Sequence, residues 1–182
     1  MKDKGGAVLF VLLCFATFTS AQEPDRKDPM QNCPMHKEQA RANSHQALVD
    51  KHGDEAMGFS HLRTTHHFVL LGTGGGITVT ANDVADKAST DAIRVHLSHI
   101  AIMFGNGDFS APMFIHDGIP PGVTTMKLLR SHINYKYQEI SGGGSVLVES
   151  NDPVAVAAIH DFLRFQISQH QTGDPLTVGD EY

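Results

Sequence analysis

Ile140-Ser141-Gly142-Gly143-Gly144-Ser145-Val146-Leu147-Val148-Glu149-Ser150-Asn151-Asp152-Pro153 decides the fold. An apolar run from Ile133 ends at a triple glycine, a second alternating run follows, and Asp152-Pro153 then supplies an N-cap oxygen and a first-turn proline for a helix. Glycine enters positive φ freely, so Gly142-Gly143-Gly144 between alternating runs reads as a hairpin turn. The expected elements are strands Ile133–Ile140 and Ser145–Ser150 and a helix from Pro153 to about His170.

Upstream the same order occurs once more. A strand from about Thr65 to Leu71, a turn at Gly74-Gly75-Gly76, a strand Ile77–Ala81, Asn82-Asp83 and a helix from about Ser89 to Phe104 make a first ββα unit. Two such units predict an α+β fold, an antiparallel sheet with helices packed on one face. Between them Gly105-Asn106-Gly107 suits a helix end. Met113 to His116 reads as a short extended piece, Pro120-Pro121 as a rigid connector, and Val123 to Arg130 as a short helix.

The ends differ in character. Lys2 and Lys4, an apolar run Ala7 to Phe18 and Thr19-Ser20-Ala21 have the layout of a secretory signal peptide, residues 1–21. The run is short for a permanent membrane anchor, so the expected product is periplasmic or secreted. Residues 22–56 form a flexible polar segment with a short helix from Lys37 to Lys51, residues 57–170 the duplicated domain, and residues 171–182 a loose polar tail. Removing residues 1–21 turns 14 basic and 20 acidic residues into 12 and 19, a net charge of 12 − 19 = −7, which argues against nucleic acid as a partner. Cys14 leaves with the leader, so Cys33 stands as a lone thiol in an oxidising compartment; such a thiol pairs with another molecule or has a use of its own.

Histidine carries the chemistry: there are twelve. His61, His66 and His67 open the first hairpin, and His96, His99 and Met103 share one side of the following helix. The duplication supplies a control. Aligning Ala92-Ile93 with Ala158-Ile159 sets His96 opposite Phe162, His99 opposite Phe165 and Met103 opposite Gln169, with His67 near Tyr135. Imidazole stands where the other copy packs phenylalanine. Taken singly each residue has a plain structural use: His66 and His67 point to opposite sheet faces, paired histidines sit in cores when hydrogen-bonded, and Met57, Met103 and Met113 are ordinary core filler. His45, His52, His132 and His170 read as solvated, and His116 as oriented by Asp117.

Cys33-Pro34-Met35-His36 resembles the signature of heavy-metal-binding modules attached to copper-transporting ATPases and efflux proteins. That resemblance implies Cys33, Met35 and His36 as ligands for a soft cation such as Cu(I). More widely, residues 33 to 175 resemble a group of exported bacterial proteins sharing Cys-Pro-Met-His, Thr64-Thr65-His66-His67-Phe68 and Phe162 to Ile167; the likeness implies export and carries no activity over. The expected function is an exported transition-metal binder, copper first, for storage, delivery or detoxification, with His66, His67, His96, His99, Met103, Cys33, Met35 and His36 as metal residues and a metal-efflux or delivery protein as partner. Zinc and non-covalent haem are the alternatives for the bound group, and a metal-free interaction domain, a homodimer through exposed edge strands, is the alternative for function. An enzyme is disfavoured: there is no His-Glu-x-x-His, no nucleophile elbow and no strand-to-helix glycine loop.

Overall fold

The computed structural model describes residues 34–179; the expected signal peptide and Cys33 lie outside the described residues, as does the side chain of His36. The chain separates at Lys37/Glu38 into two units, and the architecture below is that of the second. After helix α1 (Pro34–Met57) come strands β1 (Thr64–Leu71) and β2 (Gly74–Ala81) and helix α2 (Lys87–Gly105). Short helices α3 (Ser110–Ile115) and α4 (Val123–Leu128) lead to β3 (Ile133–Ile140), β4 (Gly143–Ser150), helix α5 (Pro153–His170) and the two-residue strand β5 (Val178–Gly179). The sheet order is β3-β4-β2-β1-β5, antiparallel except for β5 on β1. The α+β fold of two ββα units stands.

The two units are related by an internal two-fold. The strands repeat at a spacing of 133 − 64 = 69 and the helix N-caps, Asp86 and Asp152, at 152 − 86 = 66. At the centre Ile77 pairs with Val146, its own counterpart. Each helix lies over the other unit's hairpin, α2 on β3 and β4, α5 mainly on β1 and β2. Ile93 and Ile159, counterparts again, are both fully buried. Arg94 donates to the Ile140 and Gly143 carbonyls, and His160 Nε2 meets the Leu71 carbonyl at 2.8 Å at the equivalent place. His160 is thus a fastener between helix and hairpin.

Four local expectations are corrected. Both triple glycines lie largely within strands, and the turns fall at Gly72-Thr73 and Ser141-Gly142. The reason is space: a Cβ on Gly74, whose φ is 142°, would meet the Val148 carbonyl, and one on Gly75 would meet the Leu163 side chain and the Val69 carbonyl. Glycine lets β4 and α5 come close. Met113 to Ile115 is helical and His116 is the C-cap, with Pro112 in the first turn of α3, so the piece is not extended. Helix α1 is longer than the expected Lys37 to Lys51, and its last turns contribute buried Val49 and Met57. Residues 171–179 are not loose, because Asp174 accepts from the Phe68 amide at 2.8 Å and β5 pairs with Leu70 and Leu71.

Candidate functional site

On β1, Thr64, His66, Phe68 and Leu70 face the helices, so His67 faces away. His66 there meets His170 at the end of α5, ring centroids 6.0 Å apart and planes within 9°. His96 on α2 reaches the same place, its ring edge-on to Phe59 at 5.7 Å while His66 stacks on Phe59 at 6.1 Å. His66, His96, His170, Met57 and Gln166 help line a cavity of about 60 Å³ whose remaining walls are mostly apolar, Leu97, Ile100 and Phe104 among them. Behind it, His116 is buried, its Nε2 at 3.2 Å from Gln166 Oε1 and its ring 5.2 Å from that of His170.

Burial sets the charge of this cluster. His66 and His96 are pulled down to about 4 and His170 to about 3, in each case first by loss of water and then by repulsion from neighbouring imidazoles. His116 is lowered as well, by burial, against an opposing hydrogen bond from Gln166. The rings are therefore neutral near pH 7, with lone pairs free for a ligand or proton.

A polar vestibule of about 210 Å³ adjoins the cavity and shares Met57, His66 and His170 with it. His61 stands in it, Nδ1 at 2.9 Å from Asp54 and Nε2 at 3.8 Å from Asp50. Gly58, at φ 76°, follows the end of α1 and turns the chain toward this wall.

The expected site residues divide. His66 and His96 come together. His67 lies on the opposite sheet face, paired to Asp174 at 2.8 Å, because neighbouring strand residues alternate. His99 is exposed, one turn beyond His96, and Met103 is half-buried against the core without lining the cavity. Met35 is exposed. His170, read as solvated, is a central member, and His116 is held by Gln166 rather than Asp117. Among the described residues no three His, Cys, Asp or Glu side chains are placed to close around a metal ion.

The internal symmetry shows what is peculiar to this end. At the strand spacing the counterpart of His66 is Tyr135, and at the helix spacing the counterparts of His170, His96 and Gln166 are Phe104, Phe162 and Ile100. Tyr135 and Phe104 are in ring contact at the same 6.0 Å, edge-on at 74° rather than near-parallel, and Phe104 packs on Phe162 at 5.8 Å. One half builds its core from aromatic and aliphatic residues; the other places three imidazoles and an amide at the same positions. Extending the sequence alignment one residue past Met103 and Gln169, and moving the strands by one, would have found His170 and His66. Compared with models of protein families, with curated proteins and with solved structures, the chain matches none of them.

Proposed function

We propose that this histidine end binds a soft transition-metal ion, Cu(I) before others, in an exported protein that stores, delivers or removes that metal. The observation that carries the reading is the replacement of Tyr135, Phe104 and Phe162 by His66, His170 and His96 within one two-fold fold. Burying three imidazoles where phenylalanine would pack costs stability and needs a reason. A cation shared by two imidazoles at about 2.0 Å needs in-plane lone pairs aimed at one point; the His66 and His170 rings lie 6.0 Å apart with planes within 9°, so binding requires one of them to turn about its Cβ–Cγ bond.

The donor set also bears on the metal. Two imidazoles with the Met57 thioether nearby suit low-coordinate Cu(I), whereas a structural zinc site asks for four nitrogen, sulfur or oxygen ligands. Cys33, Met35 and His36 form a separate proposed capture set, and a metal-efflux or delivery protein is the proposed partner.

Titration of the processed chain with Cu(I) against a competing chelator tests this. His66→Ala or His170→Ala is expected to weaken binding at least tenfold, and the combination His66→Tyr, His96→Phe, His170→Phe, which copies the other half, to remove the cavity site while the protein stays folded. Unchanged affinity in that variant, or loss that follows Cys33→Ser alone, removes the cavity from the function.

Haem is the second reading, favoured by aromatic walls beside imidazoles. A porphyrin far exceeds about 60 Å³, so it would require the α1 end to lift. A Soret band on haem addition that is lost in His170→Ala decides for it.

A further inference from the structure

The two edges of the sheet are counterparts under the internal two-fold, yet only one is covered. On β1 the outward Phe68 amide donates to Asp174, and β5 pairs with Leu70 and Leu71. Adding the strand spacing of 69 sets Tyr137, Glu139 and Ile140 at the equivalent places on β3, and no strand lies beyond them among the described residues. Tyr135, Tyr137 and Glu139, two residues apart, turn their amides and carbonyls outward as Phe68 does. Strand β3 has no proline and pairs with β4 without a bulge from Ile133 to Ile140, so of the devices that blunt an exposed edge only Lys136 is present.

The helix beside each edge differs in the same sense. In the covered half Arg164 of α5 donates to the Leu176 carbonyl and so holds the tail, with Asp161 and Ser168 on the same helical stripe. Subtracting the helix spacing of 66 gives Ser98, Val95 and Ile102 on α2, and both apolar side chains are exposed. Ser98 and Ile102 border an open groove with Tyr135 and Tyr137, so the apolar stripe runs along the uncovered strand. One half uses polar residues to fasten its own tail; the other presents alkyl groups beside an open backbone edge.

We propose that β3 pairs with β3 of a second copy of this chain, antiparallel about a two-fold axis at Tyr137, so that one sheet runs through both copies. Residues opposite each other in such a pair share a sheet face, so the axis passes through a residue and not between two. Axes at Lys136 and at Tyr137 give the longest overlap. The first sets two lysines opposite each other in the closer kind of cross-strand pair, whereas the second sets Lys136 opposite the partner's Gln138 and Tyr135 opposite the partner's Glu139. About Tyr137 the outward groups of Tyr135, Tyr137 and Glu139 exchange about six backbone hydrogen bonds, and the two α2 stripes come to the same face of the seam. The far edge of each copy carries β5, so growth stops at two. The pairing is independent of any metal at the histidine end.

Sedimentation equilibrium of the processed chain reads the assembly, with reductant and a chelator present so that neither a Cys33 disulfide nor a metal bridges copies; hydrogen exchange reads the edge. The expected result is a reversible dimer in which the Tyr135, Tyr137 and Glu139 amides gain protection as the concentration rises. Gln138→Lys is expected to weaken it roughly tenfold, because like charges then face each other on both sides of the axis, and adding Lys136→Glu to that variant is expected to restore it. Glu139→Pro removes an outward donor from an exposed residue and is the companion variant, expected to shift the equilibrium to monomer. A chain that stays monomeric up to about 1 mM, a dimer indifferent to both Gln138→Lys and Glu139→Pro, or a weakened dimer that Lys136→Glu does not restore overturns the proposal. Protection of the three amides in a chain that stays monomeric would mean that its own residues before 34 lie on this edge, and overturns the second copy as the occupant.

Discussion

Acid should destabilise the metal-free protein well before its carboxylates titrate. His66 and His96 sit at about 4 and His170 at about 3 against a usual 6.5, so between those values the unfolded chain binds protons that the native chain refuses. The stabilising contribution is complete above about pH 6.5 and is lost as the pH falls toward 4. On going from about pH 7.5 to about pH 5 each independent imidazole would contribute about 2 kcal/mol of lost stability. The rings are only partly buried, and discounting for residual solvent leaves about 1 kcal/mol apiece, about 3 kcal/mol together. For a chain of this size that is a fall in Tm of about 6–12 °C. Asp86, Asp108, Asp152 and Asp174 are depressed below 3.8, so what they contribute is lost only in stronger acid and does not enter this window. Urea or thermal unfolding in metal-free buffer at several pH values measures the slope. A melting temperature flat from about pH 7.5 to about pH 5, or an equal slope in the variant with His66→Tyr, His96→Phe and His170→Phe, would refute the reasoning.

Three further outcomes are expected. The same triple variant should be more stable than the native chain at pH 7 by about 1–3 kcal/mol, since buried polar rings give way to apolar ones; urea midpoints read this directly. Gly75→Ala should cost about 1–3 kcal/mol or more, because the added methyl meets Leu163 and a strand carbonyl with no room to retreat, and a wild-type midpoint would contradict the close packing. Asp174→Ala strips a half-buried acceptor from the Phe68 amide and the partner from His67, with about 1–2 kcal/mol lost and faster proteolysis after residue 171; unchanged cleavage would show that the tail is not held there.

Much of the fold was legible because its signals are local. Alternation and glycine clusters occur twice, and the Asp152-Pro153 start and His170 end of α5 agree with the sequence reading. The triple glycines misled because one residue type serves both tight turns and close approach, and a linear pattern cannot separate those uses. Met113 to His116 was misread because four residues carry too little periodicity to separate strand from helix. His67 and His99 were drawn toward the site by spacing, but β alternation turns the first to the other face and the helix pitch carries the second into solvent.

Composition, charge, the duplicated ββα order and the substitution of imidazole for phenylalanine at residue 96 could all be taken from the order of residues, since each depends on neighbours within a few turns or on comparing two copies of one pattern. The meeting of His66 with His170, 170 − 66 = 104 positions apart, depends instead on each helix crossing to the opposite hairpin about the Ile77–Val146 axis. Packing of two units against each other selects which side chains share a cavity, and no local preference contains that choice.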